Sequence, residues 1–110
     1  MTADGQLTGG TLAELSERIR RKDVSATEVV QAFIERTDTL EPALGAYITR
    51  MSDSALADAK AADAEIAAGA YRGPLHGVPV AVKDIYWTAG VRTTSGSLVD
   101  ADFVPERDAT

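Results

Sequence analysis

Apolar residues recur at helical spacing near the start of the chain. Thr11 and Glu14 have the spacing of a capping box, in which an N-cap hydroxyl and a carboxylate three residues later bond backbone N–H groups at a helix start. Apolar positions then follow every three or four residues from Leu12 to Ile19. The pattern therefore predicts a first helix over about residues 12–21.

The same start signal occurs at Ser25 and Glu28, where it precedes a longer amphipathic stretch. We expect this second helix to end near Leu40, because Pro42 lacks the N–H group that a helix interior requires. The stripe that would face the core consists of Val29, Val30, Phe33, Ile34 and Thr37.

An alanine-rich segment predicts a third helix, which begins at one of the N-cap candidates in residues 52–54 and runs to Ala68. Gly69 is expected to end it, because glycine adopts the left-handed conformation of a helix C-terminus without steric cost. Small side chains allow close approach, so we expect this helix to pack tightly on its neighbour. Its thin apolar face consists of Leu56, Ala59, Ala62, Ile66 and Ala67.

Two segments have the composition of β-strands. Ala46–Thr49 is short and β-favouring, and Val78–Asp84 is an apolar, β-branched run with Pro79 near its start. Arg92–Thr94 is a candidate for a further strand. Three helices with two or three strands indicate the α/β class. Because a buried strand needs neighbours on both sides, we expect the 110 residues to be the first portion of a larger α/β domain.

Composition and charge exclude several classes of function. The chain has 11 basic and 17 acidic residues, for a net charge of −6, and its basic cluster at 18–22 coincides with a predicted helix end, where cations are favourable. Nucleic acid is therefore not an expected direct partner. The chain contains no cysteine and only one histidine, His76, which leaves no disulfide, thiolate site or histidine-rich metal site. We expect neither a metal nor a cofactor.

The N-terminus shows no targeting signal. It has no basic start followed by an apolar run, and no segment of the chain is apolar enough to cross a membrane. Residues 1–10 are polar and glycine-containing, which predicts a flexible leader, and residues 11–110 are expected to form part of one domain. The default location is the cytoplasm, without a membrane partner.

Lys83 stands at the end of the predicted strand Val78–Asp84. An ammonium group is costly to hold away from water unless it is paired or loses its proton, so this position suggests a lysine placed for chemistry. The alternative is a strand-end lysine that reaches solvent, which on position alone is the commoner case. Asp84 is expected to have a structural role, and His76 to bond the backbone of its glycine-flanked turn.

The run Gly73–Asp84, continued by Thr88–Ser97, resembles the N-terminal catalytic-lysine segment of the amidase signature family. The resemblance extends over about residues 11–110 and is most specific in residues 73–97. It implies an α/β fold in which helices pack on a mixed twisted sheet. This chain would supply only the N-terminal part of that fold, so the fold would be incomplete in these residues.

The resemblance also implies a reaction, the hydrolysis of a carbon–nitrogen bond in a small-molecule amide through an acyl-serine intermediate. Lys83 would be the general base and would act through a bridging serine on the serine nucleophile. Both serines would lie in a later Gly/Ser-rich run that these residues do not include, so the chain alone is expected to be inactive. Thr94 and Ser95 would touch the substrate or the serine loop, or else satisfy backbone groups in their own turn.

Two other functions stay open. The A subunit of a tRNA-dependent glutamyl or aspartyl amidotransferase has the same lysine segment and passes ammonia to a partner subunit. A non-catalytic truncated remnant or small interaction module would instead fold without activity. Homodimer formation is a further alternative to partner subunits.

Overall fold

The computed structural model describes residues 7–110, which contain three α-helices joined by turns and extended loops. Helix α1 spans Leu12–Arg20, α2 spans Ala26–Leu44 and α3 spans Ser52–Ala67. The chain divides into two compact units. The helical unit contains the described residues up to Gly45 together with Met51–Pro79, and the loop unit contains Ala46–Arg50 with Val80–Thr110.

The predicted leader falls partly outside the described residues. Residues 1–6 of it are not described, whereas Leu7 and Thr8 are helical. Leu7 also packs against the core of the helical unit. Within residues 7–110, no helix combines the length and the apolar character needed to cross a bilayer.

Helix α1 begins as its sequence predicts. The Thr11 hydroxyl accepts a hydrogen bond from the Glu14 N–H at 3.2 Å, and the Glu14 carboxylate accepts one from the Thr11 N–H at 2.9 Å. The capping box is therefore formed in both directions, which satisfies two backbone donors that would otherwise lack partners. The helix ends at Arg20, one residue before the predicted end.

Helix α2 begins where predicted but ends later. The Ser25 hydroxyl caps its start by accepting from the Glu28 N–H at 3.0 Å. The predicted end near Leu40 is wrong, because the helix continues through Pro42 to Leu44. Pro42 lies in the last turn of the helix, which forms although this residue has no N–H to donate to the carbonyl four positions earlier. Leu44 is the last helical residue, and the cap that follows is Gly45, which has a left-handed φ of 56°.

Helix α3 confirms the predicted end but not the predicted cap. Gly69 follows the last turn with a φ of 84°, and its N–H donates to the Ile66 carbonyl at 3.0 Å. The N-cap residue is Met51, whose side chain makes no capping hydrogen bond. The Ser54 hydroxyl donates back to the Met51 carbonyl at 3.1 Å, so it does not serve the free N–H groups of the first turn.

The helical unit has two apolar clusters, and α3 contributes side chains to both of them. The first cluster contains Leu15, Ile19, Val24, Val29 and Ile66. The second contains Ala26, Val30, Ala59 and Ala62, so small side chains meet where α2 and α3 pack together. The expected close packing of α3 is confirmed, although Ala67 at its end is exposed.

A side chain of α3 also caps α2. The Asp63 carboxylate accepts hydrogen bonds from the Ala26 N–H at 2.7 Å, the Thr27 N–H at 3.0 Å and the Thr27 hydroxyl at 2.6 Å. A carboxylate is favourable at this position because the N-terminus of a helix carries partial positive charge. Asp63 therefore joins the two helices through residues that are 37 and 36 positions apart in the chain.

The predicted strands are wrong. None of the described residues 7–110 belongs to a strand, so Ala46–Thr49, Val78–Asp84 and Arg92–Thr94 are extended segments and turns. The prediction of an α/β fold with a mixed twisted sheet is therefore wrong for this structure. A strand is held by hydrogen bonds to a neighbouring strand, and composition alone cannot supply that neighbour. Val80 and Val82 are accordingly 68% and 60% exposed.

Candidate functional site

Lys83 lies at the start of a turn in the loop unit. Its carbonyl accepts a hydrogen bond from the Tyr86 N–H at 3.1 Å, which closes a four-residue turn. The Lys83 side chain is exposed, and its amine has no hydrogen-bond or ion-pair partner among the residues that the structure describes. The burial expected for a lysine at the end of a strand is therefore absent from this part of the protein.

Asp84, the next residue, is bonded to the loop ten positions further along. Its carboxylate accepts from the Thr94 N–H at 2.9 Å and from the Thr94 hydroxyl, and its backbone carbonyl accepts from the Ser95 N–H at 2.8 Å. The Thr94 hydroxyl, and after it the Thr94 N–H, lowers the pKa of Asp84 from its usual value, because both bonds favour the ionised carboxylate. The structural role predicted for Asp84 is confirmed. We call these three hydrogen bonds the Asp84 clasp.

Thr94 and Ser95 differ in their exposure. Thr94 is only 4% exposed, and its hydroxyl both donates to Asp84 and accepts from the Gly96 N–H at 3.1 Å. Ser95 is exposed and has a positive φ of 54°. The structure thus places the Thr94 hydroxyl inside the loop unit and the Ser95 residue on its surface.

The turn at residues 94–97 uses all of its inner N–H groups. Ser95 and Gly96 have φ values of 54° and 69°, and the Ser97 N–H donates to the Thr94 carbonyl at 2.9 Å, as in a type I′ turn. The Ser95 and Gly96 N–H groups are also bonded, to Asp84 and to the Thr94 hydroxyl. In this conformation the turn therefore offers no row of free N–H groups that could bind an oxyanion.

The clasped loop runs antiparallel to the last residues of the chain. The Gly90 N–H donates to the Pro105 carbonyl and the Thr93 N–H to the Phe103 carbonyl, each at 2.9 Å. The Trp87 ring lies 5.4 Å from the Phe103 ring, and the Arg107 guanidinium stacks 5.6 Å from the Trp87 centroid. These isolated contacts hold the loop in place without forming a strand ladder.

His76 belongs to the helical unit and is structural. It is buried, its Nδ1 accepts from the Arg72 N–H at 3.0 Å, and its ring stacks on Tyr71 with centroids 5.9 Å apart. Because Nδ1 accepts a hydrogen bond, the neutral ring carries its proton on Nε2, which lies 3.8 Å from a Glu65 carboxylate oxygen. The predicted bond from this histidine to the backbone of its turn is confirmed.

The described residues show no metal centre, and the two best-defined surface depressions lie away from Lys83. No group of three or more His, Asp or Glu side chains in residues 7–110 could hold a metal ion. Two surface depressions of about 540 and 390 Å³ lie in the helical unit, one along α1 and one around residues 72–76. Neither depression is lined by Lys83, Thr94 or Ser95.

The sequence found the residue types of this site but not how they are connected. Lys83, Thr94 and Ser95 lie in one compact unit. Asp84 links the segment that contains Lys83 to the turn that contains Thr94 and Ser95. A hydrogen bond between residues ten positions apart has no periodic signal, so the clasp was not predicted. The only hint in the sequence is an aspartate beside the lysine and a pair of threonines at the following turn.

Comparison with known proteins places these residues in a family. The model of the Amidase family matches residues 28–110. The chain is 48% identical over 100 residues to the A subunit of the Glutamyl-tRNA(Gln) amidotransferase of Heliobacterium modesticaldum, and 46% identical to that of Geobacter metallireducens, covering 91% of this chain in both cases. A Mycobacterium bovis protein that carries the name amidase AmiD is 42% identical over 99 residues, or 90% of this chain. The matched region spans only 20% or 21% of these relatives' own lengths.

Proposed function

Because the chain belongs to the amidase family, we propose that the complete protein hydrolyses a carbon–nitrogen amide bond with Lys83 as the general base. The observation that carries this proposal is the family match over residues 28–110, which includes Lys83 and the turn with Thr94 and Ser95. The substrate class is a small-molecule amide. Neither a metal nor a cofactor is part of the proposal.

The proposed mechanism divides amide cleavage into two easier steps. A serine attacks the carbonyl carbon, the C–N bond breaks, and the amine leaves with a proton; water then attacks the acyl-serine and releases the acid. Lys83 would take the proton of the attacking serine through a bridging serine. Both serines are expected in polypeptide outside these 110 residues.

The position of Lys83 supports this role in one respect. Its side chain is exposed and its amine has no partner among the described residues, so the hydroxyl of another segment can reach it. A lysine amine accepts a proton only after losing its own, which requires shelter from water or nearby cations. In the proposed enzyme, the segment that carries the serines would cover Lys83 and supply that shelter.

Ser95 and Thr94 would have different roles at the substrate-binding side of the site. Ser95 lies at the tip of an exposed turn, where its hydroxyl can contact a substrate or the serine-bearing segment. Thr94 would support this turn from the inside, because its hydroxyl is already hydrogen-bonded to Asp84 and Gly96. We therefore propose direct contact with the substrate for Ser95 and a supporting position for Thr94.

A second function is favoured by the relatives' names. Two of them, 46% and 48% identical to this chain, are named as the A subunit of a glutamyl-tRNA(Gln) amidotransferase, whereas the relative named as an amidase is 42% identical. Under this alternative the protein would act on an amide only in a complex with other subunits. A cytoplasmic location belongs to both proposals.

The test separates the two functions by substrate and by assembly. The complete protein is purified alone, its native mass is measured, and ammonia release is followed with simple aliphatic amides, aromatic amides and glutamine. Hydrolysis of simple amides by the isolated protein, with an acyl group detected on a serine by mass spectrometry, supports the amidase. Activity that requires glutamine and co-expressed partner subunits supports the amidotransferase. No activity in either format contradicts both.

A further inference from the structure

We propose that Asp84 is a positioning residue for Lys83, acting through the clasp that joins the Lys83–Asp84 backbone to Thr94 and Ser95. The inference rests on the proposed role of Lys83 and adds a residue that this role requires. Asp84 would touch neither substrate nor product. Its function would be to fix where the Lys83 amine can reach.

The clasp restrains the chain on the C-terminal side of Lys83. Asp84 accepts three hydrogen bonds, two on its carboxylate and one on its carbonyl. Consecutive Cα atoms are about 3.8 Å apart, so fixing Asp84 also fixes the point from which the Lys83 side chain starts. The turn bond from the Tyr86 N–H to the Lys83 carbonyl adds a fourth restraint.

The other end of the clasp is equally well held. Thr94 is buried, and its hydroxyl also accepts a hydrogen bond from the Gly96 N–H. The Thr93 N–H, one residue earlier, is bonded to the Phe103 carbonyl at 2.9 Å. The clasp therefore joins the lysine segment to a turn that is itself anchored, rather than to a loose loop.

Asp84 does not act as a direct ion-pair partner of Lys83. No ion pair joins the two side chains in the described structure, and both carboxylate oxygens of Asp84 already bind Thr94. An ion pair with Asp84 would also favour the protonated amine, which is the wrong state for a base. The effect of Asp84 must therefore pass through the backbone, and it should be visible in the rate of the chemical step. A small misplacement of a reacting group lowers the rate of the chemical step more than it weakens substrate binding.

The experiment compares variants of the complete protein in steady-state hydrolysis of one simple amide. Asp84→Asn and Thr94→Val each remove part of the clasp with little change in volume, and Thr94→Ser keeps the hydroxyl. We expect Asp84→Asn and Thr94→Val to lower kcat by about tenfold to a hundredfold with KM changed less than about threefold, and Thr94→Ser to stay near wild type. The double variant should lose no more than the worse single variant, because both act on one contact. Asp102→Asn, an exposed aspartate of the same unit, is the matched control and should keep full activity.

Lys83→Ala, measured in parallel, separates this inference from the function on which it rests. If Lys83→Ala is inactive while Asp84→Asn and Thr94→Val keep wild-type kcat, the positioning role is wrong and the proposed function stands. If Lys83→Ala keeps wild-type kcat, the proposed function itself fails. Should Asp84→Asn not fold, the pair Thr94→Val and Thr94→Ser decides alone, and equal kcat in those two variants would overturn the inference.

Discussion

Gly77 lies so close to Ala26 that a β-carbon built on the glycine would stand 2.9 Å from the Ala26 Cβ and 3.4 Å from Ile19 Cγ2. Gly77 also has a left-handed φ of 83°. Both facts concern the turn that contains His76, and Gly77 of this turn packs directly onto the start of α2. This turn precedes the lysine segment and packs against the helical core through a residue that has no side chain.

Gly77→Ala should therefore destabilise the protein for two separate reasons. The left-handed conformation costs a β-carbon about 1–2 kcal/mol, and overlap with the packed core adds about 1–3 kcal/mol. Gly45→Ala is the matched control, since Gly45 has a φ of 56° but no atom within 4 Å of the place that a β-carbon would occupy. Denaturant unfolding should show a clearly larger loss for Gly77→Ala. Equal losses in the two variants would contradict the close contact with Ala26.

Asp63 should contribute more stability than an exposed aspartate on the same helix. Asp63→Ala removes the acceptor for the Ala26 and Thr27 N–H groups at the start of α2, which should cost about 1–3 kcal/mol in the free energy of unfolding. Asp58→Ala changes an exposed residue of α3 and should stay within about 0.5 kcal/mol of wild type. Chemical denaturation of the two variants measures the difference, and a neutral Asp63→Ala would show that the cap is dispensable.

The clasp should make stability depend on pH in a defined direction. Because its hydrogen bonds with Thr94 lower the pKa of Asp84, the unfolded chain binds a proton at this site more readily than the folded chain. The contribution of Asp84 is thus complete above its unfolded value, near 3.8, and is lost as the pH falls through the lower folded pKa. The stability difference between wild type and Asp84→Asn should be constant near neutral pH and should shrink below about pH 4.

NMR titration of the Asp84 carboxyl measures this shift directly. Wild type should titrate below 3.8, and Thr94→Val should move the midpoint back towards that value, because the hydroxyl is the largest cause of the shift. An Asp84 midpoint that does not respond to Thr94→Val would show that the clasp is absent in solution.

The starts of α1 and α2 could be predicted from the sequence because their capping signals are local. The hydroxyls of Thr11 and Ser25 accept hydrogen bonds from N–H groups three residues later, so both partners of each cap lie close together in the chain. The end of α2 differs from the prediction, because the helix continues past Pro42 although this residue has no N–H donor. Gly69 was correctly predicted because a positive φ at a helix end favours glycine on local grounds.

The strands and the clasp depend on partners distant in sequence. Val78–Asp84 has the composition of a strand, but strand formation requires a neighbour, and no described residue pairs with it in a ladder. The Asp84–Thr94 contact likewise depends on the path of the loop between the two residues. The sequence could therefore supply the chemistry of the site, whereas its geometry required the structure.

Ser95→Ala should affect binding more than folding. Its side chain is exposed on the turn, whereas its N–H, which the substitution keeps, makes the bond to Asp84. If the hydroxyl contacts the substrate, KM should rise about fivefold to tenfold, as expected for the loss of one hydrogen bond, with an unchanged melting temperature. Ser54→Ala, an exposed serine of α3, is the control. An unchanged KM for Ser95→Ala would remove Ser95 from the substrate site.

The most direct test of the whole account is kcat/KM for amide hydrolysis by Lys83→Ala in the complete protein. Because this variant lacks the general base, we predict that kcat/KM falls by about 10²- to 10⁴-fold while the variant stays folded. Lys83→Arg should be equally impaired, because a guanidinium does not give up its proton in a protein. Lys60→Ala, an exposed lysine of α3, should match wild type. If Lys83→Ala instead keeps a kcat/KM close to that of wild type, Lys83 is not the base and the account is wrong.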